Sequence, residues 1–113
     1  MTFRECEEII NSARNSYKKL KNNTYLHMLD DNTYGIKLHN TFILTINRNE
    51  TYKLNTGGWE TVTTKQRLNQ YLPRNIRVYS DKGIWQCFIT FFNEKVQCDY
   101  EDNMIITCEG DVL

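Results

Sequence analysis

Several groups of residues in this 113-residue chain combine types that could bind or act on a ligand. The segment from Thr56 to Arg67 is the first. Gly57-Gly58 permits unusual backbone angles, and Thr63-Thr64-Lys65 reads as a helix start whose free amides point outward. Together Gly57, Gly58, Thr63, Thr64, Lys65 and Arg67 make a generic anion site for phosphate or carboxylate. The spacing G-x-x-x-x-G-K-[ST] is absent, so the segment is no nucleotide P-loop. The plainer alternative is a tight turn and an ordinary helix cap, with Trp59 filling the core.

His39-Asn40-Thr41 is a second group. A His-x-Thr tripeptide on a strand is half of a two-histidine phosphoesterase site, where paired imidazoles serve as acid and base. The other half is missing, because Met28-Leu29 follows His27. A surface strand histidine is the simpler reading. A third group is a face: Tyr25, His27, Lys37, His39, Lys53, Arg77 and Tyr79 alternate with apolar residues, the pattern by which sheets stack bases and neutralise phosphates. The fourth is the acidic tail, in which Asp99, Glu101 and Asp102 could meet a basic groove on a partner. Their spacing does not resemble an EF-hand loop, and no metal or other cofactor is expected.

The elements that must position these groups follow from periodicity. Phe3, Cys6, Ile9, Ile10, Ala13, Tyr17 and Leu20 recur at steps of three and four, which predicts an N-terminal helix through residue 21. Thr2 and Glu5 have capping-box spacing at its start. From Thr24 to Asn55 the period is two, with turn residues at Asp30-Asp31-Asn32 and Asn47-Arg48-Asn49-Glu50, so four antiparallel strands are expected. A short helix over 63–72 follows, with Thr63 and Gln66 as a second capping box and Pro73 as its end. Strands return at Ile76–Tyr79, Ile84–Phe92, Val96–Tyr100 and Met104–Cys108, with Trp85, Cys87, Ile89 and Phe91 facing the core. The expected class is α+β, with a mainly antiparallel sheet of seven or eight strands.

Composition bounds the function. Lys+Arg and Asp+Glu both number 14, so the formal net charge is zero, whereas a dedicated nucleic-acid binder usually carries a basic excess. The charge is nonetheless polarised: beyond residue 82, Lys95 stands alone against Glu94, Asp99, Glu101, Asp102, Glu109 and Asp111. No apolar run is long enough to span a membrane, and acids occupy the place a signal peptide would fill with an apolar stretch. Cys6, Cys87, Cys98 and Cys108 form no C-x-x-C pair and lie apart from His27 and His39, so reduced thiols are expected, not a zinc site.

Asn23-Thr24-Tyr25-Leu26, Ile36-Lys37-Leu38-His39-Asn40-Thr41, the run from Leu54 to Asn69 (LNTGGWETVTTKQRLN), Arg77-Val78-Tyr79 and Lys82-Gly83-Ile84-Trp85 together resemble a family of small phage-encoded proteins. The resemblance covers roughly residues 23–92 and implies viral origin and residence in the host cytoplasm. It leaves the helix over 1–22 and an acidic C-terminal hairpin over 93–113 as additions to a phage-type core, all within one domain over 1–113.

No nucleophile, base and orienting group occur together, which argues for a binder and not an enzyme. The leading expectation is a protein that obstructs a host protein or protein–nucleic-acid complex, such as a defence nuclease complex (anti-CRISPR or anti-restriction type) or its nucleotide signal. A nucleic-acid-binding accessory protein using the aromatic-basic face is the alternative. A phosphoesterase built on His39 stands third.

Overall fold

The computed structural model describes residues 1–113. Thr2 caps helix α1 (Phe3–Asn11) from extended backbone. The Glu5 amide donates to Thr2 Oγ1 at 3.1 Å, and the Thr2 hydroxyl reaches the Glu5 carboxylate at 3.3 Å, which closes the expected capping box. Phe3, Cys6 and Ile10 form the buried stripe. The helix then stops well short of residue 21. The Ser12 hydroxyl donates to the Glu8 carbonyl at 3.0 Å, and Ser12, Asn15 and Ser16 offer local hydrogen bonds that compete with helix continuation. Tyr17–Lys21 is strand β1, an edge strand whose lysines keep its open side solvated.

The four-strand meander follows as β2 (Thr24–Asp30), β3 (Thr33–Leu38), β4 (Thr41–Asn47) and β5 (Thr51–Leu54). Helix α2 (Val62–Tyr71) leads into β6 (Ile76–Asp81), β7 (Ile84–Phe91), β8 (Glu94–Asp99) and β9 (Ile105–Thr107). The architecture is α+β, with two antiparallel sheets: β1-β2-β3-β4-β5-β9 and β6-β7-β8. The ninth strand is β1, taken from the expected helix. Residues 93–113 do not form a hairpin, because β8 pairs with β7 whereas β9 crosses to β5.

The cap of α2 is Thr61, not Thr63. Thr61 has the extended backbone a cap needs, and its Oγ1 accepts from the Thr64 amide at 3.2 Å. One cluster of 22 buried residues spans both sheets, so they share a core. Leu26, Ile36, Leu44, Ile46, Leu54 and Ile106 supply the inner face of the large sheet. Trp85, Cys87 and Ile89 are buried from the small sheet as their alternation predicts, and Phe91 is half-buried. Trp59 does not fill the core; it is 71% exposed. All four cysteines are free thiols, and burial pushes those of Cys6 and Cys87 up to about 12. No helix is long and apolar enough to cross a membrane.

Candidate nucleic-acid interface and an adjoining cleft

Strand register decides which members of the expected aromatic-basic face share a surface. Tyr17 lies opposite His27, Lys19 opposite Tyr25, Tyr25 opposite Lys37, and His27 opposite Gly35. Lys37 pairs with Phe42, and Thr45 with Lys53. Side chains alternate across a strand, so Tyr17, Lys19, Tyr25, His27, Lys37, Phe42 and Lys53 occupy the outer face of the large sheet. The rings form a chain. His27 stacks on Tyr17 at 5.6 Å between centroids, meets the edge of Phe42 at 5.5 Å, and lies 6.4 Å from Tyr25. Lys37 Nζ sits 5.6 Å from the Phe42 centroid.

No strand of this sheet places a carboxylate beside those lysines. Burial, with Lys37 nearby, lowers the His27 pKa, so at pH 7 the imidazole is neutral. The face therefore carries three unopposed ammonium groups around four aromatic rings.

Two members of this surface depend on local backbone devices. Ile36 pairs with Leu44 and Lys37 with Phe42, so Ile43 is an extra residue in β4. That bulge buries Ile43 and turns Phe42 to the outer face, away from Leu44 and Ile46 with which simple alternation would group it. Gly35 then leaves room for the ring: a Cβ there would come within 2.6 Å of Phe42 Cδ1.

The other expected members lie elsewhere. Arg77 and Tyr79 are on β6 in the small sheet, where Arg77 Nη1 donates to the Asn69 carbonyl at 3.1 Å. His39 is not on a strand. It occupies the β3–β4 turn with φ +54°, and its amide donates to the Asn23 carbonyl at 2.9 Å.

The Thr56–Arg67 segment joins a turn to the first turns of α2, and its glycine amides and both cations are engaged within the chain. The Gly57 amide donates to Asn55 Oδ1 at 2.6 Å and the Gly58 amide to Thr56 Oγ1 at 3.2 Å, so neither is free for an anion. Gly57 has φ +65°, and a Cβ on it would lie 2.5 Å from Thr41 Oγ1, so only glycine fits against the β4 start. Lys65 Nζ lies 5.9 Å from the Trp85 ring centroid, and Arg67 Nε donates to Thr24 Oγ1 at 3.1 Å. The helix turn thus carries both cations away from the residues at its start, and the expected grouping with Thr63 and Thr64 is not assembled.

Asp102 belongs to that same turn. Its carboxylate accepts from the Thr56 amide at 2.8 Å, the Thr56 hydroxyl at 2.9 Å and the Tyr100 hydroxyl at 2.7 Å. Burial pushes its pKa up, but the bonds from Tyr100 and Thr56 outweigh burial and hold it below the usual carboxylate range. Asp99 pairs with Gln86 on the outer face of the small sheet, and Glu101 is exposed beyond β8. Of the three acids, Asp102 is thus bonded within the chain, and Asp99 and Glu101 stay exposed.

His39-Asn40-Thr41 and the Thr56–Thr64 segment, separate in sequence, line one cleft of about 430 Å³ with Leu38, Ile43 and Trp59. Asn40 and Thr41 also border a shallower depression shared with Phe42, Thr45 and Lys53, which joins the cleft to the outer sheet face. No group of three His, Cys, Asp or Glu side chains converges to hold a metal ion. The sequence pattern did not place Tyr17, Lys19 and Phe42 on this outer face; Gly35 within an alternating strand was the available signal for a close approach.

No curated protein and no solved structure matches the chain. A family model does: that of the Kyanoviridae Gp96 protein matches residues 3–107, which takes in α1 and β9 as well as the core. The helix and most of the acidic tail are thus within the family pattern and not additions to it, and the chain belongs to the Kyanoviridae Gp96 family of phage proteins.

Proposed function

We propose that this phage protein is a non-enzymatic binder that holds a single-stranded nucleic acid on the outer face of its large sheet. The observation that carries the reading is the carboxylate-free surface on which Tyr17, Tyr25, His27 and Phe42 adjoin Lys19, Lys37 and Lys53. Aromatic faces stack unpaired bases of any sequence, and the lysines neutralise the phosphates between them. From β1 to β4 the surface spans three strand spacings of about 4.8 Å, roughly 14 Å, which suits about two or three nucleotides. A duplex hides the base faces that this surface would stack. Masking a strand held by a host defence nuclease complex is how such a binder would obstruct that target.

Fluorescence anisotropy with a labelled ten-nucleotide single strand tests the reading. Binding is expected, with at least tenfold weaker affinity for the matching duplex. Tyr25→Ala should weaken it by about 1–3 kcal/mol, the cost of one lost stack. Arg77→Ala and Lys95→Ala, both on the small sheet, should change affinity less than about twofold. Equal affinity for duplex and single strand, or full binding by the Tyr25 variant, would refute the assignment.

A further inference from the structure

The cleft at the β3–β4 turn differs in chemistry from the sheet face that it adjoins. Leu38, His39, Asn40, Thr41, Ile43, Thr56, Trp59, Thr61, Thr63 and Thr64 include no Lys, Arg, Asp or Glu. Its volume of about 430 Å³ falls within the range of about 300–1,000 Å³ typical of small-ligand sites. The polar groups that line it divide into two classes. Thr56 is committed to Asp102, and the Thr61 and Thr64 hydroxyls bond each other at 3.0 Å. The side chains of His39, Asn40, Thr41 and Thr63 make no hydrogen bond within the chain and remain available to a ligand.

Trp59 supplies the remaining feature. A tryptophan 71% exposed at the edge of a cleft leaves most of a large apolar ring in water, and its backbone is fixed by the bond from its amide to the Thr56 carbonyl at 3.1 Å. A flat, uncharged ligand with both donors and acceptors on its edge would cover that ring and pair with Asn40 and Thr63. A carboxamide such as Asn40 offers a donor and an acceptor side by side, which matches the edge of a nucleobase. The absence of cations from the lining disfavours a phosphate as the occupant.

We infer that the cleft receives one unstacked nucleobase, with Trp59 as its stacking platform and Asn40 and Thr63 as its edge-reading partners. The source of that base, a strand lying on the sheet face, rests on the reading proposed above. The shared border at Asn40 and Thr41 gives the strand a path from Phe42 and Lys53 into the cleft. Sequence-tolerant stacking on the sheet would then be joined to one position at which base identity matters.

Free nucleosides test the cleft without a strand. Trp85 is buried, so a change in tryptophan emission on titrating adenosine, cytidine or thymidine into the full chain reports Trp59. Saturable change is expected for at least one nucleoside, with none for glucose at the same concentration. The double variant Asn40→Ala, Thr63→Val alters two exposed side chains and keeps both tryptophans. It should weaken the nucleoside response at least fivefold, with an unchanged melting temperature as the folding control. No saturable response to any nucleoside, an equal response to glucose, or full response by the double variant would overturn the inference. Oligonucleotide binding without nucleoside binding overturns the cleft and leaves the sheet reading intact. Nucleoside binding without oligonucleotide binding overturns the sheet reading and supports the cleft as a base site in its own right.

Discussion

On the large sheet, Lys19, Lys37 and Lys53 share an outer face with four aromatic rings and no carboxylate. On the small sheet, Arg77 and Lys95 share theirs with two rings, Tyr79 and Phe88, but also with the carboxylates of Asp81 and Asp99 and with Gln86 and Gln97, and Lys95 sits over Phe88. Both sheets are antiparallel, and both bury their inner faces in one core. The contrast lies in how charge is distributed. A chain with equal numbers of acids and bases looks indifferent to nucleic acid when summed, yet the fold segregates much of its acid onto turns, α1 and the C-terminal region. Local field at a surface, and not net charge, sets the attraction for phosphates.

The largest expected effect strikes what the two sheets have in common. Trp85 is 7% exposed and packs edge-on against Tyr100 at 5.4 Å between centroids. Trp85→Ala should cost about 3–5 kcal/mol, the range for a buried large aromatic. Denaturant unfolding followed by both far-UV and near-UV signals should show the two sheets melting together. A transition confined to one sheet would show that the two faces belong to separate folding units.

Asp102→Ala comes next, since it unties the β8–β9 turn from the Thr56 turn beside the cleft. Thr56 is 2% exposed, and the substitution leaves its amide and hydroxyl without their acceptor. A loss of about 1–3 kcal/mol is expected from calorimetry, the cost of an unsatisfied buried group. The pH dependence has a definite sign. The Asp102 carboxyl is held below its ordinary value of 3.8, so its contribution to stability is present above that value and is lost as pH falls through the lower folded-state value. Asp102→Asn should flatten that acid limb.

How much of this was legible in the sequence depended on which backbone irregularities intervened. The alternation of β2 to β5, the Thr2 cap and the inward set Trp85, Cys87 and Ile89 followed directly from period and turn chemistry. Tyr17 was hidden because Tyr17 and Leu20 continue the helical spacing of α1, although Ser12 and its neighbours end that helix. Phe42 was hidden by one extra residue, Ile43, which reverses the side on which it projects. The cleft needed three dimensions: Gly57 packs against Thr41 only because the fold brings the β4 start to the Thr56 turn.

A smaller effect sharpens the electrostatic contrast. With its pKa lowered from 6.5, His27 becomes a fourth cation on the large sheet only below that pH. The unfolded chain takes up this proton more readily than the folded one, so folding stability falls slightly as pH drops through that region. Strand affinity should be flat between pH 8 and 7 and rise below about 6.5, by about 0.2–1 kcal/mol for one partly exposed charge. His27→Gln should abolish the rise, as read by anisotropy.

A strand is expected to lie on the large sheet and not the small one, and backbone amide chemical-shift mapping with an eight-nucleotide single strand shows which sheet holds it. The expected shifts concentrate at Tyr17, Lys19, Tyr25, His27, Lys37 and Phe42, while the amides of Arg77, Phe88, Lys95 and Asp99 stay in place. Shifts centred on β6 to β8, or none at millimolar strand, would contradict it.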